Sequence, residues 1–138
     1  MTRIEKKLNC VLLVDDDDIV NHLHKNIIEG EGLSKHIQVA DSVNLAIDLL
    51  NCPKVVDCKN PDLILLDLNM PGLNGWDFLD TYHELQKEKG KNSLIIILTN
   101  SHNPYDKKKA ESYSEVVGFR SKPLTDLMLH EIVDRYFT

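Results

Sequence analysis

Asp15, Asp16, Asp17 and Asp18 form an unbroken run directly after the apolar segment Cys10–Val14. A further aspartate, Asp67, follows a second apolar segment, Leu63–Leu66. Thr99 follows Leu94–Leu98 in the same way, and Lys122, with Pro123 behind it, comes shortly after Val116–Phe119. Carboxylates, a hydroxyl and an ammonium group thus stand where apolar runs give out. Two unit charges about 4 Å apart repel by about 1 kcal/mol in water and about 4 kcal/mol at an effective dielectric of 20. Carboxylates gathered at one point therefore need counter-charge. Lys122 supplies one, and a divalent cation is the natural second. No histidine or cysteine stands at these run ends, so the ligands are hard oxygens, which favours Mg2+ or Mn2+ over zinc. Asp18, next to Ile19, suits a helix N-terminus, and Asp17 suits a cap as well as the cluster. Capping is a poor account of Asp15 and Asp16.

The segments that would position these groups alternate in type. Of five short apolar runs, four are near-continuous, as expected of parallel strands buried on both faces. The other, Ile37–Ala40, is weaker and suits a sheet edge. Between the runs lie segments of helical spacing. Ile19, Leu23 and Ile27 repeat at every fourth position and stop at Gly30 and Gly32. Ser42 can cap a helix carrying Ala46, Ile47 and Leu50. Phe78, Leu79, Tyr82 and Leu85 make a stripe that ends before Gly90, with Gly75 a turn or helix-start glycine and Trp76 a packing residue. Asn103-Pro104 opens a short helix, and the last helix starts near Thr125 and buries Leu129, Ile132, Val133 and Tyr136. The order βαβαβαβαβα implies an α/β fold, a doubly wound parallel sheet with helices on both faces. Sites in such sheets lie at the carboxyl ends of the strands, where the charged groups stand.

Val14-Asp15-Asp16, the stretch Leu65-Leu66-Asp67-Leu68-Asn69-Met70-Pro71-Gly72-Leu73-Asn74-Gly75, Leu98-Thr99 and Ser121-Lys122-Pro123 together resemble the receiver domain of two-component response regulators. The resemblance covers about residues 8–137, with the motifs in the family's order. It implies a flavodoxin-like (βα)5 sandwich with strand order 2-1-3-4-5, which brings strands 1, 3, 4 and 5 side by side. It further implies that Asp67 is the phosphoacceptor and that Asp16 and Asp67 ligate Mg2+ together with the backbone carbonyl of Asn69. Asp15 then acts on the metal largely through water. Lys122 pairs with the phosphoryl oxygens, aimed by a cis Lys122–Pro123 bond, and the Thr99 hydroxyl closes on them. Phe119 matches the aromatic position that swings inward when Thr99 moves. Asn100 departs from the small residue usual after that threonine, and is expected to modulate phosphoryl lifetime.

The implied function is a phosphoacceptor signalling switch rather than an enzyme with a turnover substrate. It would take its phosphoryl group from a histidine kinase or histidine phosphotransfer protein, as an end-point output or a relay intermediate. It would signal through the face of helix 4, strand 5 and helix 5. Length suits a single receiver domain over residues 1–138 with no effector domain, so the downstream target is expected to be a separate protein. A composition of 42% hydrophobic and 28% charged residues is that of an ordinary globular chain, and no apolar run approaches a membrane span. The net charge of −6 disfavours nucleic acid as a partner. Cys10, Cys52 and Cys58, odd in number and without CxxC spacing, suggest neither a disulfide framework nor a zinc site. By default that indicates a reduced, cytoplasmic setting. The six histidines are scattered, none placed as a phosphocarrier. Two other classes fit less well. A Mg2+-dependent phosphatase of the haloacid dehalogenase type would need an aspartate where Asn69 stands. A flavodoxin-like FMN carrier would need a Ser, Thr and Gly-rich phosphate loop where four aspartates stand.

Overall fold

Strands and helices alternate along the chain in the computed structural model, which describes residues 8–54, 58–89 and 93–137. They are β1 (Leu8–Val14), α1 (Asp18–Glu31), β2 (Ser34–Ala40), α2 (Val43–Asn51), β3 (Leu63–Leu66), α3 (Gly75–Lys89), β4 (Leu94–Thr99), α4 (Pro104–Ala110), β5 (Val116–Ser121) and α5 (Asp126–Tyr136). All strand pairs are parallel, in the order β2-β1-β3-β4-β5, so the weak second strand is an edge. Gly90, expected to end the third helix, and the polar residues 1–7 lie outside the described residues.

The two faces of the sheet follow from strand alternation. Leu12 and Val14, Ile64 and Leu66, and Ile95 and Ile97 pack with α2 and α3, around Leu50, Phe78 and Tyr82. Their neighbours Val11 and Leu13, Leu63 and Leu65, and Ile96 and Leu98 pack with α1 and α5, around Ile28, Leu129 and Ile132. The helix starts are set locally. Asp17 accepts from the N–H groups of Ile19 and Val20, Ser42 from Leu45, Asn103 from Tyr105 and Thr125 from Met128. Asn74 caps α3 by accepting from Trp76 and Asp77, while Asp77 accepts the Asn74 N–H in return. Gly32 ends α1 with φ 63°, a conformation that costs glycine nothing.

Two features differ from the sequence-based picture. The Ile19, Leu23, Ile27 repeat identifies α1 correctly but not its inner face. Ile19 is 81% exposed and Leu23 45%, whereas Asn21, His24 and Ile28 are buried. The helix is turned so that two polar side chains face the sheet, for a reason that appears at the site. The second difference is a correction: Cys10 and Cys58 form a disulfide, with 5.3 Å between Cα atoms, and only Cys52 is free. Residues 58–62, before β3, lie against the start of β1, where the Asp62 carboxylate accepts the N–H groups of Asn9 and Cys10 and the Asp62 N–H donates to the Cys10 carbonyl. That contact brings together two cysteines 48 residues apart, which spacing motifs do not register.

Candidate functional site

Register places the charged groups. Val14 of β1 lies opposite Leu66 of β3, and Thr99 of β4 opposite Ser121 of β5, so the chain leaves four adjacent strands at one edge. The Asp15 N–H still donates to Ala40 O (3.1 Å) and the Asp67 N–H to Val14 O (2.9 Å), which extends the ladders by one residue and holds both backbones. One oxygen from each of Asp15, Asp16 and Asp67 lies within 4.8 Å of the others, with Asp15 and Asp67 buried and Asp16 exposed. Lys122 reaches into this group. Its Nζ is 2.5 Å from Asp15 Oδ2 and 3.4 Å from Asp67 Oδ2, and the Lys122–Pro123 peptide bond is cis.

Three carboxylates and one ammonium leave the site at a charge of −2, which one divalent cation would balance. The donor set is all oxygen, with two buried carboxylates and one open to solvent, and this fits Mg2+ or Mn2+ better than a softer metal. Burial pushes the Asp67 carboxyl above its ordinary range and the Asp15 charge pushes it further, while Lys122 and the Asn69 N–H pull it back. For Lys122, burial acts to lower the ammonium, but the hydrogen bond and charge of Asp15 and the charge of Asp67 outweigh it and raise it on balance.

The remaining sequence-derived residues surround this centre. Thr99 is fully buried, and its Oγ1 accepts the Ser101 N–H at 3.2 Å. Ser101 Oγ in turn donates to Asp106 Oδ2 at 2.5 Å, tying the β4–α4 turn to the first turn of α4. Asn69 and Asn100 are exposed. Phe119 is half-buried against the α2–α3 face and lines a groove of about 200 Å3 with Lys107, Ala110 and Glu111 of α4 and its end. A hollow of about 440 Å3 between α3 and the turn before β5 holds Asp80, His83, Glu84 and Glu115 but none of the strand-end groups.

Two residues at the site, Asn21 and His24, escaped the sequence reading, and the turn glycine Gly75 has a closer role there than it assigned. Gly75 packs against the backbone after β3: a Cβ there would lie 2.6 Å from the Asp67 carbonyl oxygen and 2.8 Å from Leu68 Cα, so only glycine fits without a shift. Asn21 Nδ2 donates to the Asp15 carbonyl at 2.7 Å, and its Oδ1 is buried without a hydrogen-bond partner. His24 Nε2 accepts the Leu124 N–H at 3.1 Å, two residues beyond Lys122. Burial lowers the His24 pKa, with Lys122 adding to the effect against the pull of Asp15, so the neutral ring needed as acceptor is favoured. The signal for Asn21 and His24 was their spacing with Ile28, three and seven positions along one helical face.

Comparison with known proteins gives a consistent picture. The model of the response regulator receiver domain matches residues 11–134. A two-component response regulator of Cytophaga hutchinsonii superposes with a TM-score of 0.82 at 36% identity, covering 94% of this chain and 96% of its own. The chemotaxis protein CheY of Pseudomonas aeruginosa is 25% identical over 92% of this chain and 94% of its own length. The nitrate/nitrite response regulator NarL of Escherichia coli is 29% identical over 70% of this chain, which spans only 40% of that protein.

Proposed function

Since the chain belongs to the response regulator receiver domain family, a family of signalling switches, we propose that it is the phosphoacceptor of a two-component system and that Asp67 takes the phosphoryl group. The observation that carries this reading is the Lys122 ammonium held between Asp15 and Asp67 in a carboxylate cluster of net charge −2. A carboxylate oxygen of Asp67 forms the new P–O bond while the P–N bond of a phosphohistidine breaks, and its electron pair leaves on the imidazole nitrogen. Lys122 then turns to the phosphoryl oxygens, where its charge is needed most. Thr99 Oγ1 already accepts the Ser101 N–H, so its own proton is free to be donated to a phosphoryl oxygen. Asp16, Asp67 and the Asn69 carbonyl would hold Mg2+ or Mn2+, with Asp15 acting through water. When bound, that cation neutralises charge on the transferring group.

The only catalysis in this reading is of the chain's own phosphorylation and dephosphorylation. The donor is a histidine kinase or histidine phosphotransfer protein. The output is a protein contact on the face of α4, β5 and α5, where the groove beside Phe119 supports a partner. Neither nucleic acid nor a membrane is a partner, and no described helix is long and apolar enough to cross one. The setting is cytoplasmic, and complete burial of Cys10 and Cys58 keeps their bond from dissolved thiols. Incubation with acetyl phosphate and Mg2+ tests the core of the proposal. One phosphoryl mass is expected on the wild type and none on Asp67→Asn. Labelling of that variant, or of wild type in EDTA, would overturn it.

A further inference from the structure

The turn after β5 must present Lys122 to two carboxylates, yet it has few backbone anchors. Lys122 N–H donates to Thr99 O at 3.1 Å, Pro123 has no N–H to donate, and the next donor is the buried Leu124 N–H. That donor goes to a side chain a hundred residues away, His24 Nε2 on α1. An imidazole that is only 3% exposed is costly to place under a sheet edge unless it is hydrogen-bonded. One turn earlier on the same face, Asn21 donates to the Asp15 carbonyl. The inner face of α1 thus grips both arms of the Lys122–Asp15 ion pair, Asn21 behind the carboxylate and His24 behind the lysine. This accounts for the rotation that leaves Ile19 and Leu23 outside.

We infer that His24 is a positioning residue for Lys122: as acceptor for the Leu124 N–H it fixes the β5–α5 turn, so that the ammonium sits where Asp67 is to receive its phosphoryl group. The inference rests on the proposed role of Asp67, and its test separates the two. His24→Leu keeps volume but leaves the Leu124 donor buried and unsatisfied, whereas His24→Gln returns an acceptor near the Nε2 position. In the wild type the Leu124 amide should be protected from hydrogen exchange and the Lys122 ammonium should give a resolved resonance, as their hydrogen bond and ion pairs require. Both are expected to be lost in His24→Leu and regained in His24→Gln. Labelling of Asp67 by acetyl phosphate should slow about tenfold in His24→Leu and recover to within about threefold in His24→Gln. The decisive comparison is a double-mutant cycle. In a Lys122→Met background the same His24→Leu change should alter the rate by less than about twofold, because a residue acting through Lys122 has nothing left to position. Equal losses in the two backgrounds, or unchanged Leu124 exchange in His24→Leu, would overturn the inference. If the wild type takes no phosphoryl group at all, the function proposed above fails, and the two resonances still decide the role of His24.

Discussion

Neutralising the carboxylate cluster should stabilise this protein, and the structure sets the scale of the effect. Oxygens of Asp15, Asp16 and Asp67 lie within 4.8 Å of one another. At that separation two charges repel by about 0.9 kcal/mol in water and about 3.5 kcal/mol at an effective dielectric of 20. Lys122 lies closer to Asp15 (2.5 Å) than to Asp67 (3.4 Å), so the Asp16–Asp67 pair is the less compensated. Asp16 is exposed, so Asp16→Asn should relieve an amount near the lower figure and raise the metal-free Tm by about 3 °C. Mg2+ at a hundred times its Kd should stabilise the wild type by about 2.7 kcal/mol, or about 9 °C for a chain of this length. In Asp16→Asn that metal-dependent rise should collapse. Thermal melts in EDTA, in Mg2+ and in NaCl of matched ionic strength separate binding from screening. The reasoning is refuted by a wild-type melt indifferent to millimolar Mg2+. It is equally refuted by a full Mg2+ shift in Asp16→Asn, or by NaCl reproducing the shift.

Gly75→Ala should lower Tm by several degrees and slow labelling of Asp67, because its Cβ meets backbone atoms at 2.6 and 2.8 Å and displaces the turn after β3 by a strain of about 1–3 kcal/mol; an unchanged melt would show that the turn yields freely. Asn100→Ala should shorten the aspartyl-phosphate half-life in a single-turnover decay, about tenfold if the amide adds 1.4 kcal/mol to the hydrolysis barrier by crowding water. An equal or longer half-life would reverse that role. The Tyr113 phenol, pushed up to about 12 by burial and by its hydrogen bond to and charge from Asp80, should titrate lower in Asp80→Asn by ultraviolet absorbance, while burial, the largest cause, keeps it above its ordinary value. Since the folded value is raised, the stability it contributes is complete below about pH 10 and is lost as pH rises toward 12.

The sequence alone determined the order of strands and helices, most of their ends and the groups gathered at the sheet edge. Each of these rests on local free energies. Continuous apolar runs require burial on both faces, side-chain oxygens at Asp17, Ser42, Asn103 and Thr125 satisfy the first N–H groups of their helices, and aspartates after a strand cannot stay inside the sheet. The strand order came from resemblance and not from pattern, because alternation of strands and helices is compatible with more than one winding.

Tertiary structure decided what depends on distance between residues remote in the chain. Cys10 and Cys58 pair because residues 58–62 lie against the start of β1, a proximity that an odd cysteine count conceals. Gly75 suits its place because the backbone of Asp67 and Leu68 passes where a Cβ would stand. On α1, apolar periodicity pointed to Ile19 and Leu23, while the buried face went to Asn21, His24 and Ile28. Periodicity registers the cost of transferring each side chain from water, one residue at a time. It does not register that a buried imidazole is compensated by the Leu124 N–H a hundred residues away, and only the fold brings that donor within 3.1 Å.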